Sequence, residues 1–363
     1  MEPKAWRLTP GAWLDERVLT QISEMIECLA ARGAQPKGMW DRLSDRHIEL
    51  IRSFGFQSFK RTINFEYHQW GVSRFRDEII WRVLGKLLLK GKLPWHAFLS
   101  KAEDPANTVW PTKTPSIAAY KFYVGLLWQY ALSDDALGCL SREEPPLGAP
   151  IKITYKGKLL SQDLAYSSLE LNAIARSCGP MTSIQRVLEI GAGYGRLAWL
   201  YQSVFPEAQY FIVDVPPALA VSQNYLSECL GADRVEIFRQ RQGEDYQQML
   251  DLEQKRKVHC LLPHELEELP DKCFDLAINI SSFDEMPRSD VAAYFVQLDR
   301  TVRRNVYLKS YKFNRLTQWD YRDFPYPTRW TCIMSRTEPS NHAFIEQIFR
   351  LDSAETTPVP RIE

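Results

Sequence analysis

The run Val187-Leu188-Glu189-Ile190-Gly191-Ala192-Gly193-Tyr194-Gly195-Arg196-Leu197-Ala198 constrains this chain more than any other stretch. Four residues that read as a buried strand empty into a glycine loop, and the loop opens a helix. Glycines at such a turn accept backbone angles closed to other residues and let the main chain approach a ligand closely. Soon afterwards Tyr210-Phe211-Ile212-Val213-Asp214 ends a second apolar strand on a carboxylate, the position at which folds of this kind hold ribose hydroxyls.

The third glycine arrives one position early for the dinucleotide fingerprint G-x-G-x-x-G. A pyrophosphate wants a helix N-terminus aimed at it, whereas S-adenosylmethionine has no phosphate and needs only close backbone approach. Glu189, a charge near the end of an apolar strand, is costly to bury unless paired, and a carboxylate there can hold the cofactor's ammonium. These features point to S-adenosylmethionine as cofactor, with S-adenosylhomocysteine as product. The expected cofactor residues are Glu189, Gly191, Ala192, Gly193, Gly195, Asp214 and Val215.

From Val187 onward the pattern alternates strand and helix: Val187 to Ile190, a helix from Arg196, Tyr210 to Val213, a helix from Pro217, Val258 to Leu262, Phe274 to Ile280, a helix from Ser289 and Val306 to Leu308. Such alternation predicts an α/β fold with a Rossmann-like, mostly parallel sheet. The stretches Trp330 to Met334 and Phe344 to Phe349 have little helix between them and suit an antiparallel closing hairpin.

Ligands bind beyond the carboxyl ends of parallel strands. Two loops fall there, Leu261-Leu262-Pro263-His264-Glu265-Leu266 and Asn279-Ile280-Ser281-Ser282-Phe283-Asp284-Glu285-Met286-Pro287. The first places Leu262, Pro263 and His264 near an adenine, unless His264 is a surface residue. The second places Asn279, Ser281 and Phe283 near the methyl donor, with Asp284 or Glu285 facing the acceptor. An alcohol acceptor must lose its proton, which makes Asp284, Glu285 and His264 the catalytic candidates. Two carboxylates can also hold a divalent ion, or simply begin a helix favoured by its dipole; no metal ligands are assigned.

The earlier part of the chain reads as mostly helical. Asp15 can cap a helix bearing Val18, Leu19, Ile22, Met25, Ile26 and Leu29, stopped by Gly33; a second helix runs from Asp77 to Leu89, and a third begins at Thr114-Pro115 and carries apolar residues around much of Ile117 to Leu132. That third helix is either central core or an oligomer contact. Asn64 to Gly71 is a candidate lid. The passage Glu144-Pro145-Pro146-Leu147-Gly148-Ala149-Pro150 marks a boundary, dividing a helical domain over 1–150, serving as lid, substrate pocket or dimerisation unit, from a cofactor domain over 151–363. Ile151 to Tyr155 alternates like an edge strand turning at Lys156-Gly157, and a helix with Leu164, Leu171, Ile174 and Ala175 on one face follows.

Lys+Arg and Asp+Glu balance at 45 each, which argues against a nucleic-acid or anionic-membrane partner. The seven cysteines are scattered without a C-x-x-C pair, arguing against zinc and a disulfide framework. With no signal-like N-terminus and no membrane-length apolar run, a reducing cytoplasm is the expected location. The aromatic and charged residues of Lys309 to Phe313 and Trp319 to Trp330 suit either a sugar-binding surface or the packing of the closing hairpin. The loose end is expected after Leu351.

On Val187 to Leu197, Ile212-Val213-Asp214-Val215-Pro216, Ile278 to Met286 and Tyr326-Pro327-Thr328-Arg329-Trp330, the sequence resembles the class I S-adenosylmethionine-dependent methyltransferases, and more narrowly the sugar O-methyltransferase family of bacterial biosynthetic clusters. The resemblance covers roughly Ser161 to Arg350. It implies a seven-stranded cofactor domain, a methyl donor on the glycine loop and Asp214, the Ser281 to Met286 loop at the methyl, and a hydroxyl of a sugar or glycosylated natural product as acceptor. The segment Asp233 to Lys257 departs from the pattern as an insertion that would alter acceptor preference if it folded over the site. A nicotinamide-dependent oxidoreductase and a non-catalytic partner that kept the fold are the readings from other classes.

Overall fold

The computed structural model describes residues 16–33, 39–60, 62–63, 101–102, 117–150 and 153–351. The expected helix from Asp77 to Leu89, the Asn64 to Gly71 segment, the caps at Asp15 and Thr114-Pro115 and the tail beyond Leu351 lie outside the described residues.

Two amphipathic helices come first, α1 (Glu16–Ala31) and α2 (Met39–Phe54). The buried residues of α1 are Val18, Ile22, Met25 and Leu29, a single stripe at helical spacing, and the chain turns at Gly33 with φ 65°. A two-residue strand β1 (Lys101–Ala102) precedes α3 (Ile117–Leu132), whose Val124, Leu127, Trp128 and Ala131 are buried in the chain's own core. β2 (Ile153–Tyr155) and β3 (Lys158–Leu160) make a hairpin around Lys156 and Gly157, both with positive φ, as its two-residue turn requires. The edge-strand expectation is corrected here. β2 is the middle strand of a small sheet ordered β1-β2-β3, because β1 pairs with it from far upstream, a contact that local alternation does not encode.

α4 (Gln162–Ser177) starts where Ser161 Oγ accepts the Leu164 N–H at 3.0 Å. Strand and helix then alternate through β4 (Arg186–Ile190), α5 (Arg196–Val204), β5 (Gln209–Val213), α6 (Pro216–Leu230), β6 (Val235–Glu236), α7 (Glu244–Met249), β7 (Val258–Leu261), β8 (Phe274–Ile280), α8 (Arg288–Thr301) and β9 (Val302–Tyr311). A short hairpin of β10 (Phe313–Asn314) and β11 (Trp319–Asp320) leads to β12 (Thr331–Thr337) and β13 (Phe344–Arg350).

The main sheet has eight strands in the order β12-β13-β9-β8-β4-β5-β7-β6. Neighbours from β9 to β6 are parallel, and β13 and β12 close the other edge antiparallel. The expected architecture is present with one strand more than seven. The addition is β6, which the 233–257 segment lays along β7 at the outer edge of the sheet.

Helices cover both faces, so successive strand residues enter two different cores. Val187 and Tyr307 join the core under α4, α5 and α6, which α1 and α3 also share; Leu188, Ile190 and Leu308 join the core under α7 and α8. The late aromatic residues belong to the second core: Trp319, Phe324 and Trp330 are buried, and Trp330 stacks on Phe295 with centroids 5.5 Å apart. For these three, hairpin packing is the alternative observed, not a sugar-facing surface.

Candidate functional site

At the carboxyl ends of β4, β5, β7, β8 and β9 lies a cavity of about 480 Å3. The chain builds β5 and β7 on one side of β4 and then crosses over to build β8 and β9 on the other, and a crevice opens where such crossovers diverge.

The glycine loop forms one wall. Gly191, Gly193 and Gly195 have φ of 74°, 61° and 83°, in the left-handed region. The Gly191 N–H donates to Val213 O at 2.9 Å, and a Cβ on Gly191 would fall inside the Ser282 side chain. A Cβ on Gly193 would instead project into open space. Gly195 is set back from the cavity, where a Cβ would lie 3.0 Å from Leu226 Cδ1, so it serves the close packing of α5 on α6.

Asp214 stands at the end of β5 with its carboxylate pinned on both oxygens. Oδ2 accepts the Gly193 N–H at 2.9 Å and Oδ1 the Val215 N–H at 2.8 Å. Burial pushes its pKa up to about 7, against the opposing pull of those two N–H groups. Glu189 points to the same face as Val187 by the strand's two-residue period, and so meets Tyr210, whose hydroxyl donates to Oε2 at 2.8 Å. Burial pushes this carboxyl up to about 7 as well.

Glu189, Gly191, Ala192, Gly193, Asp214, Val215, Pro263, His264, Ser281 and Glu285 all line the cavity; Gly195, Asn279 and Asp284 do not. Asn279 Nδ2 donates to Ile190 O at 2.9 Å and bonds Ser282 Oγ, fastening the end of β8 to the end of β4. Asp284 accepts the Tyr311 N–H at 3.0 Å through Oδ2, and burial pushes it up to about 6. Leu262 and Phe283 are likewise fully buried and outside the lining. None of the lining residues comes from 233–257, so the insertion does not fold over the cavity.

Glu285 differs from its neighbour. Among the described residues its carboxylate has no hydrogen-bond partner, and burial, then the Asp284 and Asp214 charges, push it up to about 8. His264 occupies the turn after β7, its Nδ1 without a partner among the described residues, and burial with the nearby Arg32 lowers its pKa. Leu29, Trp40, His47 and Ile63 reach the cavity from the N-terminal helical part.

A buried ionic cluster on the α4 side escaped sequence reasoning. Glu170 receives Arg196 through Nη1 at 2.6 Å and Nη2 at 3.0 Å, and Lys309 Nζ at 3.0 Å. Burial alone would raise the Glu170 pKa, but the two cations outweigh it and hold the carboxyl below its ordinary value. Its signal was present in Leu169-Glu170-Leu171, a charge amid apolar residues on a helix, but its partners lie far away in sequence. Among the described residues no group of three or more His, Cys, Asp or Glu is arranged to hold a metal ion, and no helix is long and apolar enough to cross a membrane.

No family model and no curated protein matches the sequence. Solved structures with similar parts include the mitomycin 7-O-methyltransferase MmcR, at 13% identity and TM-score 0.35 over 52% of this chain and 56% of that one. The PH0226 protein from Pyrococcus horikoshii OT3 matches at 11% identity and TM-score 0.38 over 52% of this chain and 92% of that one. The magnesium protoporphyrin IX methyltransferase ChlM from Synechocystis PCC 6803, a structure with bound SAM, matches at 15% identity and TM-score 0.31, over 45% and 67%.

Proposed function

We propose that this chain is an S-adenosylmethionine-dependent O-methyltransferase, acting on a hydroxyl of a sugar or glycosylated small molecule. The observation that carries the proposal is the pairing of the glycine loop with Asp214 at the switch point of the sheet, beside a carboxylate, Glu285, that has no partner of its own among the described residues. The residues fit the cofactor. Gly193 leaves open space where a side chain would stand, Asp214 presents a fixed acceptor suited to ribose hydroxyls, and Glu189 suits an ammonium. Pro263 and His264 stand where an adenine would follow.

S-adenosylmethionine held by the glycine loop, Asp214 and Glu189 would supply an activated methyl for an acceptor oxygen, with the sulfonium leaving as a neutral thioether. The chain's contribution is positioning in the cavity, worth about 7–11 kcal/mol of barrier in well-oriented systems, and removal of the hydroxyl proton. Glu285 takes that proton as general base. Asp284 is a positioning residue, since it reaches Tyr311 and not the cavity.

Titration calorimetry with S-adenosylmethionine and S-adenosylhomocysteine tests the cofactor, with micromolar binding expected and no heat from either sinking it. Transfer of labelled methyl to a panel of free and glycosidic sugars tests the acceptor. Transfer only to acceptors without sugar hydroxyls would remove the sugar and leave the methyltransferase.

A further inference from the structure

Resting on the function proposed above, we infer that the acceptor carries a carboxylate beside its hydroxyl, and that Lys309 is the specificity-determining residue that binds it. Lys309 is the last residue but two of β9 and points to the α4 face, as Tyr307 does two residues earlier. It is 5% exposed and lines the cavity. Its Nζ makes one hydrogen bond among the described residues, to Glu170 Oε1, and lies 5.0 Å and 5.8 Å from the ring centroids of Tyr166 and Phe344. An ammonium has three donors, so two are left.

Lys309 shares its one hydrogen-bonded carboxylate with Arg196. Arg196 takes both oxygens of Glu170 in a two-pronged contact and Lys309 shares one of them, so two permanent cations are served by one carboxylate. The other carboxylates near the two cations make their hydrogen bonds elsewhere: Asp163, beside Arg196, accepts the Tyr194 hydroxyl at 2.6 Å, and Glu189 the Tyr210 hydroxyl at 2.8 Å. Glu346 is occupied by Arg336 at 2.7 Å and by the Tyr307 hydroxyl at 2.8 Å. Glu338 is buried and turns Oε1 to Ser340, with Oε2 unpartnered among the described residues; burial pushes its carboxyl up and Lys309 opposes this. A buried ammonium with two donors unused at the cavity wall favours a ligand that brings an anionic acceptor to them. A carboxylate, with two acceptor oxygens and one charge, matches the two spare donors of one ammonium better than a doubly charged phosphomonoester does.

The place of the charge assigns it to the acceptor. β9 lies three strands from β5 in the sheet order, so Lys309 is about 14 Å from the Asp214 end by strand spacing. It sits beyond β8, on the side of the Ser281 to Glu285 loop away from the glycine loop. Acidic sugars and other hydroxy acids have the required pairing of groups.

The test uses the whole chain loaded with S-adenosylhomocysteine and titrated with glucuronate and with its neutral amide, glucuronamide. The expected result is at least ~10-fold tighter binding of the acid in the wild type, as befits a charge-assisted contact. Lys309→Met should abolish that preference while its affinity for S-adenosylhomocysteine stays within about twofold, which also reports that the variant is folded. Equal behaviour of acid and amide in the wild type, failure of both included, overturns the inference. So does a preference that survives Lys309→Met, or a variant whose loss is of S-adenosylhomocysteine binding, which would give the charge to the cofactor's own carboxylate. Wild-type protein that does not bind S-adenosylhomocysteine would defeat the proposed function itself, a separate outcome.

Discussion

The Gly193 N–H and the Asp214 carboxylate meet at 2.9 Å, so the glycine loop and the end of the neighbouring strand hold one another in place. The Val215 N–H fixes the other carboxylate oxygen, which leaves the free lone pairs of Asp214 in a set direction at the cavity wall. A group fixed in this way loses little freedom when a ligand arrives, and preorganisation of that kind favours binding.

Asp214→Ala should therefore weaken S-adenosylhomocysteine binding by about 10- to 100-fold, the value of hydrogen bonds to a charged acceptor. Asp214→Asn, which keeps the shape, should lose less. The pH dependence has a definite sign. Burial raises the carboxyl to about 7, and the ionised form is the one that accepts two ribose hydroxyls, so affinity should rise as pH climbs through about 7. Calorimetry at pH 6 and pH 8 checks this; an equal slope in Asp214→Asn would assign the titration to another group.

The same raised carboxyls bear on the unliganded protein. Asp214, Glu189 and Glu285 are pushed to about 7, 7 and 8, above their unfolded values near 4. Between about pH 4 and pH 8 the folded chain thus holds more protons than the unfolded one, and stability falls as pH rises through that window. Thermal melts without ligand should show Tm declining from pH 5 to pH 8, and S-adenosylhomocysteine should protect more strongly at the upper end.

Gly191→Ala puts a Cβ into the Ser282 side chain at a residue whose φ is 74°. The left-handed backbone alone costs about 1–2 kcal/mol, and Ser282 has little room to withdraw because Oγ is held by Ile190 O at 3.2 Å and by Asn279. Ligand binding should drop sharply and Tm by a few degrees. The double variant Gly191→Ala/Ser282→Gly should recover part of the loss, since it removes the overlap and keeps the backbone strain. No recovery would mean that the strain alone governs the site.

How much of this was legible in the sequence differs by residue. Val187 to Ile190 and Tyr210 to Val213 were readable because strands buried on both faces must be apolar throughout, and Asp214 because a charge ends such a run. The reach of β6 and the central position of β2 were not, since both depend on which distant strand lies alongside. Asp284 and Glu285 looked equivalent as a pair. Only the three-dimensional turn sends Asp284 to the Tyr311 N–H and Glu285 to the cavity. The Glu170, Arg196 and Lys309 cluster joins three separate elements and was invisible for the same reason.

That cluster gives an asymmetric pair of substitutions. Glu170→Leu leaves Arg196 and Lys309 buried together without the carboxylate that both contact, and should cost about 3–5 kcal/mol of stability. Arg196→Met leaves Glu170 balanced by Lys309 and should cost less, about 1.5–3 kcal/mol for the lost charge-assisted bonds. Chemical denaturation measures both; the reverse order would mean that the cation at Lys309 is already neutralised by another group.

Glu285 offers the sharpest test of chemistry. A general base acts only when ionised, and burial together with the Asp284 and Asp214 charges holds this carboxyl up at about 8. Turnover should therefore increase with pH and level off above about 8. Glu285→Gln should lower kcat by about 100- to 10,000-fold with S-adenosylhomocysteine affinity within about twofold. Asp284→Asn removes a like charge beside Glu285 while an amide oxygen can still accept the Tyr311 N–H, so the rising limb of the profile should move to lower pH. Adjacent carboxyls titrate as a pair, and the midpoint belongs to both. The direction of the shift is what discriminates: a limb that stays in place after Asp284→Asn assigns the proton transfer to another base, for which His264, which lines the same cavity, is a candidate.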